Sequence, residues 1–209
     1  MTPSPATGSL RERNRARTRH EVLDAAGSLL DETGAVDQDG AFTLELVGQR
    51  AGVSRGTLYT HFPGGRDEIV RTAYQRLSSW VLDRSLELRE PATTPTHRIC
   101  ALAQALLDVL DQPGGRFYCT TGPDVAGLLV GTTGRTSTVV GHLIEDDLRA
   151  VQEAGGLPAG ADVTVLATLL SGAIRGAGDA AARTGVPARA LLDGLATLTS
   201  SLLADPAAG

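Results

Sequence analysis

The chain has no lysine, only two cysteines in 209 residues, and 3% aromatic residues. Each shortage closes off a class of function. A phosphate-cradling P-loop needs a lysine after its glycines, so the glycine-rich stretch GTTGRTS at 131–137 is not one. Cys100 and Cys119 are too few and too isolated for a disulfide framework, and reduced, buried thiols are expected. No stretch approaches the roughly 20 uninterrupted apolar residues of a membrane helix, and the arginines near the N-terminus have no apolar run behind them. A cytoplasmic protein without a membrane partner is the expectation. No nucleophile, base and orienting group are visible as a set, so neither an enzyme nor a cofactor is expected. His97 and Cys100 at helical spacing, with Cys119 and His142 elsewhere, are the residues a metal site would draw on. Buried thiols and capping or core histidines are the commoner states, and His142 with Glu145 lacks the second copy of a carboxylate motif. No metal is expected.

What is there is arginine, unevenly placed. The formal charge is −5, which argues against a nucleic-acid partner until it is divided. Residues 1–66 carry eight arginines and eight carboxylates, whereas 67–209 carry eleven arginines and sixteen carboxylates. Arg11, Arg13, Arg15, Arg17 and Arg19 face a single acid, Glu12, and no acid occurs from Leu46 to Arg66. Two basic footprints therefore survive inside an acidic protein, made of the side chain best suited to forked contacts with phosphate or guanine.

Residues 1–10 mix Pro, Ser, Thr and Gly without periodicity, and with the arginine run behind them they read as a disordered arm over 1–17. Such an arm would either follow phosphates or enter the minor groove beside the site, or else stay solvated and contribute only long-range attraction. From Thr18 to Thr33, Val22, Leu23, Ala26, Leu29 and Leu30 form one helical stripe that ends at Gly34. After the polar loop AVDQDGAF, Thr43 caps a short helix, Leu44 to Ala51. Gly52 ends it and Ser54 caps the next. Two short helices so tightly joined form a helix-turn-helix, and the small Gly48 and Ala51 allow close approach.

Mapped at about 100° per residue, the third helix points Leu58 and Phe62 inward and Gly56 and Thr60 outward. Arg55 and Tyr59 take one flank, Thr57 and His61 the other. The outer ridge is thus a bare backbone and one small hydroxyl, a shape suited to the floor of a DNA major groove. A Ser-capped core helix would carry the same inward Leu and Phe, so this pattern alone leaves both readings open.

TLELVGQRAGVSRGTLYTHFPGGRDEIV, preceded by HEVLDAAGSLLDETG, resembles the N-terminal domain of TetR-type transcriptional regulators over about residues 18–75. AGVSRGTLYTHF is its most specific part. The resemblance implies an all-α homodimer: a three-helix DNA-binding domain with a helix-turn-helix over 18–65, then a helical ligand-binding and dimerisation domain over 66–209. It implies a ligand-responsive regulator, a repressor, on a pseudo-palindromic operator, with an unidentified small-molecule effector. A ligand-binding protein or a non-switching DNA binder of the same fold is the alternative. Tyr59 and His61 are similar to the family's phosphate-contacting pair, and Thr43 to its second-helix cap. Ser54, Arg55, Gly56, Thr57, Thr60 and Arg66 complete the implied DNA surface, with Arg55 and Thr57 reading bases. Three departures stand out: Arg66 replaces the usual lysine and follows Gly64 and Gly65 rather than a capping Ser or Asn; the loop before Thr43 is long; and Gly48 stands where Ala is common.

Beyond this, periodicity predicts helices over 67–90, broken at Pro91, and over about 96–111. The loop QPGGRFYCTTGPD follows, then helices from about Asp124 and over 136–154. Val163, Leu166, Leu170, Ala173, Ala177 and Ala181 line one later helix, and Leu191, Leu195, Leu198 and Leu202 the last. These two would pair with their symmetry mates in a four-helix dimer interface. Trp80, Cys100, Phe117, Tyr118 and His142 are the effector-pocket candidates, because large or polarisable groups are scarce in this half.

Overall fold

The computed structural model describes residues 9–34, 42–120, 135–158 and 160–203. Nearly all of loop 35–42, the start of the N-terminal tail and the helix expected from about Asp124 lie outside these residues. The described residues are helical and contain no strand. Helix α1 is Leu10–Thr33, α2 Leu44–Ala51, α3 Arg55–His61, α4 Gly65–Arg89 and α5 Pro95–Asp108. After a 3-10 turn at Val109–Asp111 come α6 Gly115–Thr120, α7 Arg135–Glu153, α8 Val163–Thr184 and α9 Ala188–Leu202.

Local chemistry sets most of these limits. The Thr43 and Ser54 hydroxyls accept from the backbone N–H groups of Leu46 and Thr57 and start α2 and α3. Gly34 and Gly52 end α1 and α2 with φ of 66° and 67°, the left-handed region that suits glycine. Helix α4 starts without a side-chain cap from Gly64; instead Glu68 reaches back, its Oε2 accepting from the Gly64 N–H at 2.7 Å.

Two expectations need correction. The arginine run is not a disordered arm to residue 17: α1 begins at Leu10, because Ser9 and Glu12 form a reciprocal capping box. Arg, Leu, Glu and Ala are good helix formers, so the helix nucleated over 18–33 extends through them. The segment QPGGRFYCTTGPD is not all loop either, since Gly115–Thr120 form α6. Its N-terminal N–H groups have a distant acceptor. The Asp31 carboxylate on α1 receives both Gly114 N–H and Phe117 N–H at 2.8 Å.

Val22, Ala26, Leu30, Val47, Leu58, Phe62, Ile69 and Val70 form the core of a head built from α1 to α3 and the first turns of α4. A second core gathers Ile99, Leu102, Ile144, Leu148, Ile174 and Leu195 from α5, α7, α8 and α9. Helix α4 belongs to both bodies, since its Leu77 and Val81 pack on Val109 beyond the head.

Candidate nucleic-acid interface and cavity

On the head, α3 is fixed from beneath. Leu58 and Phe62 are fully buried, and Gly48 lets α2 pass so near that an added Cβ would stand 3.0 Å from the Val53 carbonyl oxygen and 3.2 Å from Leu58 Cδ1. The opposite side of α3 is open. Arg55, Gly56, Tyr59 and Thr60 are exposed, and a Cβ at Gly56 would meet only Ser54 Oγ, at 3.8 Å. The hydroxyls on this face are already engaged: Thr60 donates to the Gly56 carbonyl at 2.9 Å, and Ser54 Oγ and Thr57 Oγ1 are 2.9 Å apart. Arg55 lies over the Tyr59 ring, 5.8 Å from its centroid.

The rim is set by His61 and its neighbours. Arg19 of α1 donates to the His61 carbonyl and stacks 4.3 Å from the centroid of Phe62. His61 Nδ1 is buried without a hydrogen-bond partner. Burial, then the nearby charges of Arg15 and Arg19, hold its imidazole below the ordinary range. Arg66 is half-buried in the first turn of α4, and Thr43 is half-buried at the start of α2. The structure thus gathers the nine predicted DNA-surface residues on α2, α3 and the adjoining start of α4.

The pocket candidates are not gathered in this way. A cavity of ≈170 Å³ lies among α4, α5, α6, α7 and α8, walled by Val81, Leu102, Leu106, Val140 and Ile174 on its apolar side. Its polar groups come from Tyr74, Tyr118, Cys119, Thr136, Ser137, Ser171 and Arg175. Of the candidates only Tyr118 lines it. Phe117, one residue earlier on α6, is buried in the head core instead. Trp80 packs outside the cavity on the Leu77–Val81–Val109 cluster, and Cys100 packs on the second core. His142 borders a shallower hollow of ≈270 Å³ that shares Ser137, Ser171 and Arg175 with the cavity.

Inside, Tyr74 and Tyr118 meet ring to ring with centroids 4.8 Å apart, and burial pushes both phenols up. The Cys119 thiol is pushed up to about 12, chiefly by burial, and donates to the Leu106 carbonyl at 3.7 Å. It is an inert wall group, not a nucleophile. Ser171 Oγ is buried and unpartnered. Among the described residues no cluster of three or more His, Cys, Asp or Glu is placed to hold a metal ion, and no helix is long and apolar enough to cross a membrane.

Comparison with known proteins meets this geometry at the head. Residues 22–73 match the family model of bacterial regulatory proteins of the tetR family. The HTH-type transcriptional regulator LmrA of Bacillus subtilis is 27% identical over 114 residues, a match spanning about half of either chain, 54% of each. Among solved structures, the fatty acid degradation regulator FadR of Bacillus halodurans superposes with a TM-score of 0.71 at 16% identity, covering 95% of this chain and 97% of that one. A TetR-like transcriptional regulator of Rhodococcus sp. RHA1 gives 0.71 at 18% identity, covering 90% and 96%. FadR of Bacillus subtilis in complex with stearoyl-CoA gives 0.67 at 14%, covering 86% and 96%. The likeness in fold thus runs through both bodies, and the match to the family model lies in the helix-turn-helix head. Residues 22–73 are thus an N-terminal domain of the tetR family of bacterial regulatory proteins, on a chain whose described residues share the fold of those solved regulators.

Proposed function

We propose that the protein is a homodimeric repressor that holds a pseudo-palindromic operator through paired α3 helices and releases it when a small molecule enters the cavity. The single observation that carries this reading is the bared outer face of α3: Gly56 sits at its centre with open space above it, flanked by the exposed Arg55 and Tyr59. Arg55 supplies a forked donor to base edges. Tyr59, His61, Thr43 and Arg66 take phosphates around it.

Dimerisation rests on α8 and α9. Leu170 and Leu195 of the expected stripes are buried within the chain, and Val163 with them. The apolar face left outward lies beside them: Val165 and Leu169, 52% and 64% exposed, continue through Gly172 and Gly176, and Leu198 of α9 is 62% exposed. A face spaced i, i+4, i+7 and i+11, with glycines that permit close backbone approach, suits a twofold helix packing.

Coupling between cavity and head would pass through α6. Its Tyr118 is in the cavity wall and its Phe117 in the head core. A ligand that moves one must move the other, and a differential affinity of ~1–3 kcal/mol between two arrangements is enough to regulate. The cavity lies below the roughly 300–1,000 Å³ typical of drug-sized ligands, so the effector inferred is compact, with a polar end for the hydroxyl-bearing wall.

The test is selection of duplexes from a randomised pool by the full chain, followed by ligand challenge of the preformed complex. A twofold-symmetric site should emerge, and Gly56→Leu, which the open space tolerates, should fold normally and bind none of it. Equal binding by Gly56→Leu would defeat the DNA-reading assignment. A complex that no ligand dissociates, across a broad panel of small amphipathic compounds, would leave a non-switching DNA binder.

A further inference from the structure

The first two turns of α1 stand away from the rest of the head. Every residue from Leu10 to Arg17 is exposed, while burial begins in earnest at Val22. This projecting helix is not uniformly basic around its circumference. Residues four apart are offset by only about 40°, so Arg11, Arg15 and Arg19 fall within about 80° of one another. Arg13 and Arg17 lie on the other side, where Arg17 pairs with Glu21 at 3.6 Å.

The base of the Arg11–Arg15–Arg19 stripe is pinned to the reading helix. Arg19 donates to the carbonyl of His61, the last residue of α3, and stacks on Phe62. Its direction is therefore set: from the end of α3 the stripe runs outward for about 12 Å, eight residues at 1.5 Å each. The one acid in the run does not neutralise it. The Glu12 carboxylate is turned back to the Ser9 N–H at 2.6 Å, inside the capping box that starts the helix.

We propose that Arg11 and Arg15 form a rigid second DNA-contacting edge, gripping the phosphate backbone that flanks the groove entered by α3. This rests on the DNA-binding reading above. A linear row of guanidiniums suits a polyanion of regular spacing, and the two arginines, about 6 Å apart along the helix, can each take a different phosphate. An irregular basic tail would attract DNA from any direction. A capped helix with its charge on one face holds DNA on that face alone, and the experiment turns on this difference.

The full-length Arg11→Ala/Arg15→Ala protein is compared with Arg13→Ala/Arg17→Ala, which removes the same charge from the other side. Alanine is the strongest helix former, so circular dichroism should show both variants as helical as the parent. Fluorescence anisotropy on a 30-base-pair mixed-sequence duplex and on the selected operator, from about 50 to 200 mM salt, gives the slope of log affinity against log salt. Arg11→Ala/Arg15→Ala should flatten that slope by roughly 1.8, about 0.9 for each lost phosphate, on both duplexes. Hydroxyl-radical protection outside the α3 half-sites should vanish with it. Arg13→Ala/Arg17→Ala should keep the parental slope. Asn14→Pro, which breaks the helix but keeps every charge, should flatten the slope as the first pair does. Equal flattening by both alanine pairs would mean diffuse attraction and overturn the proposal, as would no flattening by either. If the parent protein binds neither duplex, it is the DNA-binding reading itself that fails.

Discussion

Arg89 and Asp147 meet in the interior as a two-pronged ion pair, Nη1 donating to Oδ2 at 2.7 Å and Nη2 to Oδ1 at 3.2 Å. Both side chains are almost wholly buried, 5% and 7% exposed. Arg98 Nε donates to the same Oδ1 at 2.6 Å, and Arg89 also donates to the Arg98 carbonyl. The pair ties the last turn of α4, whose other end lies in the head, to α7, which walls the cavity. A buried pair contributes little net stability over an apolar replacement, but removing one partner strands the other charge. Asp147→Ala should therefore cost about 3–5 kcal/mol in urea unfolding. Arg98→Ala, 41% exposed, should cost no more than about 1 kcal/mol. The double change Arg89→Met/Asp147→Leu should recover most of the Asp147→Ala loss. A loss below about 1 kcal/mol for Asp147→Ala would show that Arg89 finds water or another acceptor when its partner goes.

Gly27 and Asp31, one turn apart on α1, hold the turn that leads into α6. A Cβ on Gly27 would sit 2.4 Å from the Pro113 carbonyl oxygen and 2.9 Å from the Gly114 nitrogen, backbone atoms that cannot rotate away. Gly27→Ala should cost about 1–3 kcal/mol by overpacking. Asp31→Ala removes the acceptor for two N–H groups, a loss comparable to a helix cap at about 1–2 kcal/mol. Its functional effect is the sharper test. Because Asp31 is not among the residues of the proposed DNA surface and binds the helix that carries Tyr118, Asp31→Ala should hold operator affinity nearly constant and weaken ligand-driven release. Measured as the shift in operator affinity at saturating ligand, the coupling should shrink from its parental value. Unchanged coupling would remove α6 as the route.

The helix-turn-helix is legible in the sequence because each of its reasons is local. Thr43 and Ser54 cap within three residues, Gly52 needs only its own φ, and Leu58 and Phe62 are one turn apart. The start of α1 carries an equally local signal, Ser9 with Glu12 three residues on, but the arginine-rich composition around it points toward disorder. Helix α6 has no such signal. The segment QPGGRFYCTTGPD that contains it holds two prolines and three glycines, and the acceptor that secures its first turn is Asp31, more than eighty positions earlier. The cavity is harder still, since its walls come from five helices and no periodicity within one helix can assemble them. Phe117 shows the limit: adjacent to Tyr118 in sequence, it faces the opposite body.

Arg55 and Tyr59 share one flank of α3 but should fail differently when altered. Arg55→Ala removes a forked donor to base edges and should cost about 1–3 kcal/mol at the preferred operator while relaxing one base position. Tyr59→Phe removes only the hydroxyl and leaves the ring, so it should weaken all duplexes by a similar, smaller factor. Competition binding against a set of single-base operator variants separates the two. Uniform weakening by Arg55→Ala would move Arg55 from base reading to phosphate contact.

His61 should act as a neutral donor. Its buried, unpartnered Nδ1 cannot take a proton without stranding an N–H, and burial with the neighbouring Arg15 and Arg19 holds the imidazole below its ordinary value. The neutral ring then carries its proton on Nε2, which can donate to a phosphate without charge. Operator affinity should accordingly stay flat from about pH 8 to the ordinary imidazole value of about 6.5. The sign for folding is opposite to that of a stabilised cation. Because the folded pKa is depressed, the unfolded chain binds the proton first, and the contribution of His61 to stability falls as pH drops below about 6.5. His61→Asn keeps a neutral donor and should retain more affinity than His61→Ala, while removing the acid-side loss of stability. An operator affinity that climbs steeply between pH 8 and 6.5 in the parent, but not in His61→Asn, would mean that the ring binds phosphate as a cation.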